Sequence, residues 1–265
     1  MKYRRSRTGT IKYWTLEYPC FTGPEPRRAY VYLPASYYTS RFRRFPVLYM
    51  FDGHNVFYDS HATYGKSWGL GEYLNKIKAP VIVAAIECNS SPNNGRLSEY
   101  SPYDFNDEQF GGPFKGRGEE TMQWFINEFK PFIDENLKTL PDRKHTFIAG
   151  SSMGGLMTLY ALAAHNDVFS RGMALSPSFF VDMDSLTKEI RRSKMSSDTV
   201  LYMDYGQNEF KFSPDSRKNF ADITNELLKK NVMLTARIVP NGNHSEASWE
   251  KQLPLCINTL LYEVK

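Results

Sequence analysis

A glycine-flanked serine near the middle of the chain constrains the fold more than any other feature. Residues 150–154 read Gly-Ser-Ser-Met-Gly, which matches the pattern Gly-x-Ser-x-Gly centred on Ser152. An apolar run ends directly before this pentapeptide, and a stretch of small and apolar residues from 153 to 164 follows it. A strand that turns sharply into a helix exposes such a serine when the residues two positions before and after it are very small. The pattern therefore predicts a strand–turn–helix in which Ser152 is the nucleophile.

Continuous apolar runs recur along the chain and alternate with segments of helical spacing. Such runs, unlike alternating ones, are typical of strands that are buried on both faces of a parallel sheet. They cover residues 29–33, 46–51, 80–86, 145–149, 172–175, 199–203 and 234–239. Helical spacing covers 119–138, with a kink expected at Pro131, and 153–164, 220–230 and 246–261. This alternation predicts an α/β fold, a mostly parallel central sheet with helices on both faces and functional residues at the carboxyl ends of its strands.

The 265 residues are expected to form a single α/β domain, because no shift in composition marks a second one. Residues 1–28 are expected to hold a basic tail and an edge strand. Residues 88–118 are rich in Ser, Pro, Asn, Gly and Tyr and show no steady period. Because a loop of this length in a compact domain is usually functional, we expect a long loop or cap near the site.

A serine hydroxyl needs a base to remove its proton, and the base needs an acid to orient it. In folds built on this strand–turn–helix the chain order is serine, acid, histidine. Of the five histidines, His244 is the one that follows the last predicted strand, so it is the expected base. The acid should follow the preceding strand, where Asp204 and Glu209 both stand. We favour Glu209, which lies in the loop after that strand, over Asp204, which lies within it or at its end. Asp182 is a third candidate.

The tetrahedral intermediate of ester cleavage carries a negative oxygen that backbone N–H groups stabilise. One donor should be the amide of Met153, directly after the nucleophile, and the other should come from the loop after the apolar run 46–51. Gly53 allows that loop to turn, so the amide of His54 is the expected second donor. The imidazole of His54 is a less favoured second base.

Eight segments, in order along the chain, resemble the putative-esterase branch of the α/β hydrolases. That branch includes enterochelin esterases, feruloyl and acetyl-xylan esterases of the first carbohydrate-esterase family, S-formylglutathione hydrolases and mycolyltransferases. The resemblance runs from about residue 30 to the C-terminus. It is carried by Tyr-Met-Phe-Asp-Gly-His-Asn-Val-Phe at 49–57, Gly-Lys-Ser-Trp at 65–68, Glu-Tyr-Ser-Pro at 99–102, Phe-Lys-Pro-Phe-Ile-Asp at 129–134, Gly-Ser-Ser-Met-Gly-Gly at 150–155, Leu-Ser-Pro-Ser at 175–178, Gly-Gln-Asn-Glu at 206–209 and His-Ser-Glu-Ala-Ser-Trp at 244–249.

The resemblance implies the α/β-hydrolase fold, an acid at Glu209 and a second oxyanion amide at His54, where many relatives have Gln. It places Trp68 where relatives line the acyl or leaving-group pocket, although a core position fits this residue equally well. The implied activity is that of a serine carboxylic-ester hydrolase acting through an acyl-enzyme, without metal or organic cofactor. Expected substrates are acyl or aromatic esters, such as acetyl or feruloyl esters, of small molecules or of sugars and oligosaccharides. Alternatives are acyl transfer at the same site, a siderophore trilactone esterase and a non-catalytic binding protein.

Composition limits the other classes of function. The formal net charge is +4, and much of the excess lies in two basic runs, residues 2–7 and 41–44. These runs indicate a solvated tail and loop rather than a nucleic-acid partner. The cysteines Cys20, Cys88 and Cys256 form no Cys-x-x-Cys pair, which disfavours zinc and a disulfide framework. Since no apolar stretch suits a signal peptide or a membrane span, we expect a cytoplasmic protein; nothing indicates the oligomeric state.

Overall fold

Eight strands form one sheet in the described part of the chain. The computed structural model describes residues 8–18, 26–39, 41–212 and 215–264, so the basic run at 2–7 and Cys20 lie outside it. The strands are β1 (Thr10–Leu16), β2 (Arg27–Leu33), β3 (Val47–Met50), β4 (Ile82–Ile86), β5 (Thr146–Ser151), β6 (Arg171–Leu175), β7 (Val200–Gly206) and β8 (Met233–Val239). The seven predicted apolar runs coincide with β2 to β8, and β1 lies at one edge of the sheet.

The strand order is β1-β2-β4-β3-β5-β6-β7-β8. In this order, the six strands β4, β3, β5, β6, β7 and β8 pair in parallel with their neighbours. Strand β2 pairs antiparallel with both β1 and β4. The parallel strands therefore point their carboxyl ends to the same edge of the sheet. Because β3, β5, β7 and β8 lead into His54, Ser152, Glu209 and His244 respectively, the topology gathers these residues at that edge.

Nine α-helices occur among the described residues, and most connect successive strands. They are α1 (Leu70–Ile77), α2 (Gly95–Glu99), α3 (Gly118–Trp124), α4 (Lys130–Asn136), α5 (Met153–Ala164), α6 (Met183–Arg192), α7 (Asp215–Leu228), α8 (Glu246–Glu250) and α9 (Leu253–Leu260). The helix predicted over 153–164 is α5, and the one predicted over 220–230 is the C-terminal part of α7. The sequence pattern does not predict α1, α2 or α6.

Two predicted helices are interrupted. The segment 119–138 contains α3, a π-helical turn at Phe125–Phe129 and α4, in which Pro131 is the second residue. The irregularity therefore precedes Pro131 rather than falling on it. Proline has no N–H, so the carbonyl of residue 127 loses its helical donor, and the wider π turn lies at that carbonyl. The segment 246–261 is divided between α8 and α9 at residues 251–252.

The sheet separates two apolar clusters. Alternate residues of β3 enter opposite clusters, with Val47 and Tyr49 in one and Leu48 and Met50 in the other. Helix α5, which is buried along almost its whole length, packs on β5 and β6 in the first cluster. Helices α1 and α9 supply leucines to the second. This packing confirms the predicted mostly parallel sheet with helices on both faces.

The segment 88–118, expected to be a long loop or cap, contains α2 and is fixed by a buried ion pair. Glu99, at the end of α2, is fully buried, and its Oε2 accepts hydrogen bonds from both terminal nitrogens of Arg27 at 3.2 Å. The backbone carbonyl of Glu99 also accepts a hydrogen bond from Thr121 Oγ1 at 2.7 Å. The ion pair thus attaches this segment to β2, and Leu97, Tyr100 and Phe114 add apolar contacts in the first cluster.

Replacing Arg27 with Met should lower the free energy of unfolding by about 3–5 kcal/mol, because the Glu99 carboxylate would stay buried without its guanidinium partner. Urea denaturation followed by circular dichroism measures the change. The matched control is Arg191→Met, which breaks an ion pair with Glu226 in which the Arg191 side chain is 61% exposed. Solvent screens that pair, so its loss should change stability far less. Equal effects of the two substitutions would contradict this account of the segment.

Candidate active site

The backbone at Ser152 adopts a conformation that non-glycine residues rarely have. Its φ is 58° and its ψ is −123°, at the junction between β5 and α5. The turn is tight because Gly150 lies against the start of α5: a Cβ at Gly150 would come within 2.6 Å of the Gly154 carbonyl carbon. The Ser152 amide donates to the carbonyl of Leu175 at 3.0 Å, which ties the turn to β6. Such a backbone costs about 1–3 kcal/mol and persists where its surroundings enforce it.

The Ser152 hydroxyl lies 3.3 Å from Ser178 Oγ, within hydrogen-bond distance. His244 lines the same cavity as Ser152, but in the described part of the chain no hydrogen bond joins the two side chains. The two side chains therefore have to realign before the Ser152 proton can pass to His244. Catalytic hydrogen bonds are often long or misaligned without substrate and form when substrate binds.

The imidazole of His244 is oriented by Glu209. His244 Nδ1 lies 2.6 Å from Glu209 Oε2, and the carboxylate is buried. The other carboxylate oxygen, Oε1, accepts hydrogen bonds from Ser176 Oγ at 2.7 Å and from the Gly206 amide at 2.9 Å. Because an ionised carboxylate only accepts, Nδ1 carries the proton and Nε2 is left as the basic nitrogen.

Trp249 joins this network from α8. Its Nε1 donates to Ser176 Oγ at 3.0 Å, and its ring packs edge to face against His244 at 5.1 Å between centroids. Ser176 thus accepts from Trp249 and donates to Glu209. The sequence analysis did not single out Trp249 or Ser176, although both lie in segments that carry the resemblance.

The other acid candidates lie elsewhere. Asp204 is within β7, where Tyr202 donates its hydroxyl to Asp204 Oδ2 at 2.7 Å. Burial raises the pKa of Asp204 to about 6. Asp182 caps α6, where its carboxylate accepts from the Ser185 amide at 3.0 Å and from the Ser185 hydroxyl at 2.7 Å. Among the described residues it is Glu209, and neither of these, that pairs with His244.

Two backbone amides are available for an oxyanion. Met153 is the first residue of α5, and the first N–H groups of a helix have no partner inside it. His54 lies in a single 3₁₀ turn, Gly53–Asn55, directly after β3. Its Nε2 lies 3.0 Å from Thr63 Oγ1, and burial lowers its pKa below the usual range. The His54 ring is therefore neutral and engaged with Thr63.

An ion pair fixes the turn that carries His54. Asp52 begins this turn with a φ of 55°, and its two carboxylate oxygens accept from Arg96 Nε and Nη2, both at 2.7 Å. Burial alone would raise the pKa of Asp52, but the Arg96 guanidinium outweighs it and holds that pKa below its usual range. Arg96 belongs to α2, so the pair attaches the segment 88–118 to the turn. The sequence pattern did not identify this pair, because its partners lie 44 residues apart.

Two cavities meet beside His244. A polar cavity of about 350 Å³ contains Ser152 and is lined mainly by residues with polar side chains, including Asn55, Thr63, Tyr64, Asn89, Ser90, Ser91, Asn94, Arg96 and Glu246. An aromatic cleft of about 430 Å³ is lined by Phe110, Pro177, Ser178, Phe180, Tyr205, Asn208, Glu209, Phe212, Asn243 and His244. Ser178 links the two, since it lines the cleft and contacts the Ser152 hydroxyl.

Trp68 lines neither of these cavities. Its side chain is buried in the second apolar cluster and packs against Trp249 at 6.1 Å between ring centroids. Trp249, in turn, forms part of the wall of the polar cavity. The structure therefore places Trp68 in the core, and its interpretation as a substrate contact has no support from its position.

One cluster in the described residues has the composition of a metal site. Asp52, His54 and Cys88 each offer a ligand atom, and these atoms lie within 4.8 Å of one another. Both oxygens of Asp52 are bound by Arg96, and burial raises the pKa of the Cys88 thiol well above its usual range. A cation would compete with the guanidinium, so we assign no metal to this cluster. No helix in the described ranges is long and apolar enough to cross a membrane.

Comparison with known proteins agrees with this architecture. The Bacillus subtilis (strain 168) protein named "Uncharacterized protein YbbA" is 27% identical over 186 residues, which cover 69% of either chain. An IroE-like serine hydrolase from Shewanella oneidensis has a similar structure, with a TM-score of 0.70 at 21% identity over 91% of this chain and 76% of that one. A ferulic acid esterase has a TM-score of 0.68 at 18% identity over 97% of this chain and 99% of that one.

At these identities the structural similarity establishes the shared α/β-hydrolase fold. The family model described as "Putative esterase" matches residues 23–257, which is most of the chain. The chain therefore belongs to the putative esterase family and is a carboxylic ester hydrolase with the α/β-hydrolase fold.

Proposed function

We propose that the enzyme cleaves esters through an acyl-enzyme on Ser152, with His244 as general base and Glu209 as the acid that orients it. The observation that carries the proposal is the 2.6 Å hydrogen bond between the buried Glu209 carboxylate and His244, beside the positive-φ turn that presents Ser152. A Ser–His–acid triad requires this combination of an exposed nucleophile and a base held by a carboxylate.

The reaction proceeds in two halves. Ser152 Oγ bonds to the ester carbonyl carbon while His244 Nε2 takes the serine proton, and the amides of Met153 and His54 stabilise the oxyanion. The bond from that carbon to the leaving oxygen then breaks, and His244 returns the proton to the departing alcohol. In the second half water attacks the acyl-enzyme, His244 accepts its proton, and the acid product leaves as Ser152 Oγ recovers that proton.

Hydrolysis is favoured over acyl transfer by access of water to the base. The His244 side chain is 45% exposed and lies between two open cavities, so water reaches the acyl-enzyme. Transfer to an alcohol requires a site from which water is excluded. The intact Glu209–His244 pair also supports catalysis over a non-catalytic binding role.

We further propose that the aromatic cleft binds the acyl group of an aromatic or other apolar ester, as in the feruloyl-type esterases that the chain resembles. Phe110 and Phe180 lie 5.7 Å apart between ring centroids and are partly exposed at the cleft. Beneath them, the rings of Phe179 and Tyr205 stack at 5.7 Å, which gives the cleft a rigid wall. Exposed rings beside a reactive centre supply apolar contact area for a planar group.

Ser152→Ala should lower kcat for a 4-nitrophenyl ester by about four to six orders of magnitude, because no other group forms the acyl bond. Steady-state release of nitrophenol measures the loss. The control Ser151→Ala removes the neighbouring hydroxyl and should retain most of the activity. Near-normal turnover by Ser152→Ala would contradict the proposed nucleophile.

Glu209→Gln should lower kcat by about three to four orders of magnitude, because the amide would donate to Nδ1 and leave His244 in the wrong tautomer. Asp204→Asn alters the competing carboxylate and should cost far less. Both variants are compared with the parent enzyme by kcat and by circular dichroism, which checks their fold. A greater loss in Asp204→Asn than in Glu209→Gln would reverse the assignment.

Phe180→Ala should lower the ratio of kcat/KM for methyl ferulate to that for methyl acetate by about tenfold, because it removes a ring from the cleft. Phe42→Ala is the control: it removes an exposed ring of the same kind that lines neither cavity. The control should leave the ratio unchanged. An unaltered ratio in Phe180→Ala would show that the cleft does not bind the aromatic acyl group.

A further inference from the structure

One carboxylate in the polar cavity has no partner on another residue. Glu246, the first residue of α8, is 5% exposed and lines the cavity that contains Ser152. In the described part of the chain its carboxylate accepts no hydrogen bond from another residue and belongs to no ion pair. Burial is the main cause that raises its pKa, and repulsion from Asp52 adds to this, whereas a hydrogen bond from its own backbone amide and the charges of His244 and Arg96 act in the opposite direction.

The neighbouring charges do not neutralise Glu246. Arg96 is the cation of the cavity wall, and its guanidinium is committed to the two oxygens of Asp52. His244 is oriented by Glu209 on its other side. The charges of Arg96 and Asp52 therefore neutralise each other. The negative charge of Glu246 is not neutralised by a paired cation, and its carboxylate lines the cavity.

A buried carboxylate without a partner destabilises the folded protein unless something it binds offsets that cost. The other polar groups of the wall, such as Asn89 and Ser91, both donate and accept hydrogen bonds. An ionised carboxylate only accepts, so Glu246 selects for a donor. It lines the same cavity as Ser152, so a molecule whose ester bond lies at Ser152 can place a donor group at Glu246.

We propose that Glu246 is a specificity residue that accepts a hydrogen bond from a donor group, a hydroxyl or an ammonium, carried by the ester in the polar cavity. This proposal rests on the proposed function. It extends that function by giving the substrate two different ends: an apolar group in the aromatic cleft and a hydrogen-bond donor at Glu246. The donor group is on the arm of the ester that enters the polar cavity.

The test compares esters that differ in a single donor. The pairs are ethyl 3-hydroxybutanoate with ethyl butanoate, 3-hydroxypropyl acetate with propyl acetate, and 2-(dimethylamino)ethyl acetate with 3-methylbutyl acetate. They place a hydroxyl on the acyl arm, a hydroxyl on the alcohol arm, and a cationic donor on the alcohol arm. We expect the parent enzyme to prefer the donor-bearing member of at least one pair by about ten- to a hundredfold in kcat/KM, as for a hydrogen bond to a charged group.

Glu246→Met should abolish that preference, and Glu246→Gln should reduce it. Glu250→Gln is the matched control: Glu250 is on the same short helix, but it pairs with Lys66 at the surface, so the preference should be unchanged. The melting temperature of Glu246→Met should equal or exceed that of the parent, because a buried charge without a partner is removed. A carboxylate with a structural role would instead lower it.

The proposal is overturned if the parent shows no preference in any pair or if the preference survives in Glu246→Met. It is also overturned if Glu246→Met and Glu246→Gln both lower the melting temperature. Covalent labelling with a small fluorophosphonate separates these results from failure of the proposed function. A parent enzyme that is labelled and hydrolyses every ester without preference refutes the role of Glu246 alone. A parent that is neither labelled nor active refutes the proposed function.

Discussion

The close approach of two glycines at the end of β5 is the constraint on which the site depends. Gly150 and Gly154 lie so near each other that a methyl group at residue 150 would overlap the backbone of residue 154. This contact holds Ser152 at positive φ and points its side chain into the cavity above the carboxyl edge of the sheet. A larger residue at 150 would move either the central strand or the long buried helix α5, and with them the Met153 amide that is proposed to bind the oxyanion.

Three carboxylates around this turn differ in the hydrogen-bond donors and cations that surround them. These surroundings indicate a different role for each. Glu209 is surrounded by donors and orients a histidine. Asp52 is neutralised by Arg96 and supports the turn that carries His54. Glu246 has neither kind of partner, and the proposed role for it follows from that contrast. The roles proposed for these acidic groups in catalysis, structure and recognition follow from which donors the fold places beside them.

The parts of the fold that depend on local pattern could be predicted from the sequence. Seven apolar runs gave strands, and the glycine spacing at 150–154 located the turn at Ser152. The chain order then pointed to Glu209 and His244, which the structure brings together although they are 35 residues apart. Their roles remain proposals until they are tested.

Features that depend on tertiary contacts could not be predicted in this way. The Asp52–Arg96 pair joins two loops without a shared pattern, and the Ser176–Trp249 bond that supports Glu209 joins segments 73 residues apart. Trp68 and Trp249 both lie in segments that carry the resemblance and both belong to the second apolar cluster, yet Trp249 also lines the polar cavity and Trp68 does not. Local sequence does not predict which of two side chains that pack together lines a cavity.

The most direct test of the central claim is to identify the residue that carries the acyl group during turnover. Mixing the enzyme rapidly with a slowly hydrolysed ester, quenching in acid and mapping peptides by mass spectrometry would locate the bound acyl mass. The account predicts one acyl group per chain, on the peptide that contains Ser152 and at that residue. An acyl group on another residue, or turnover without any acylated peptide, would contradict it.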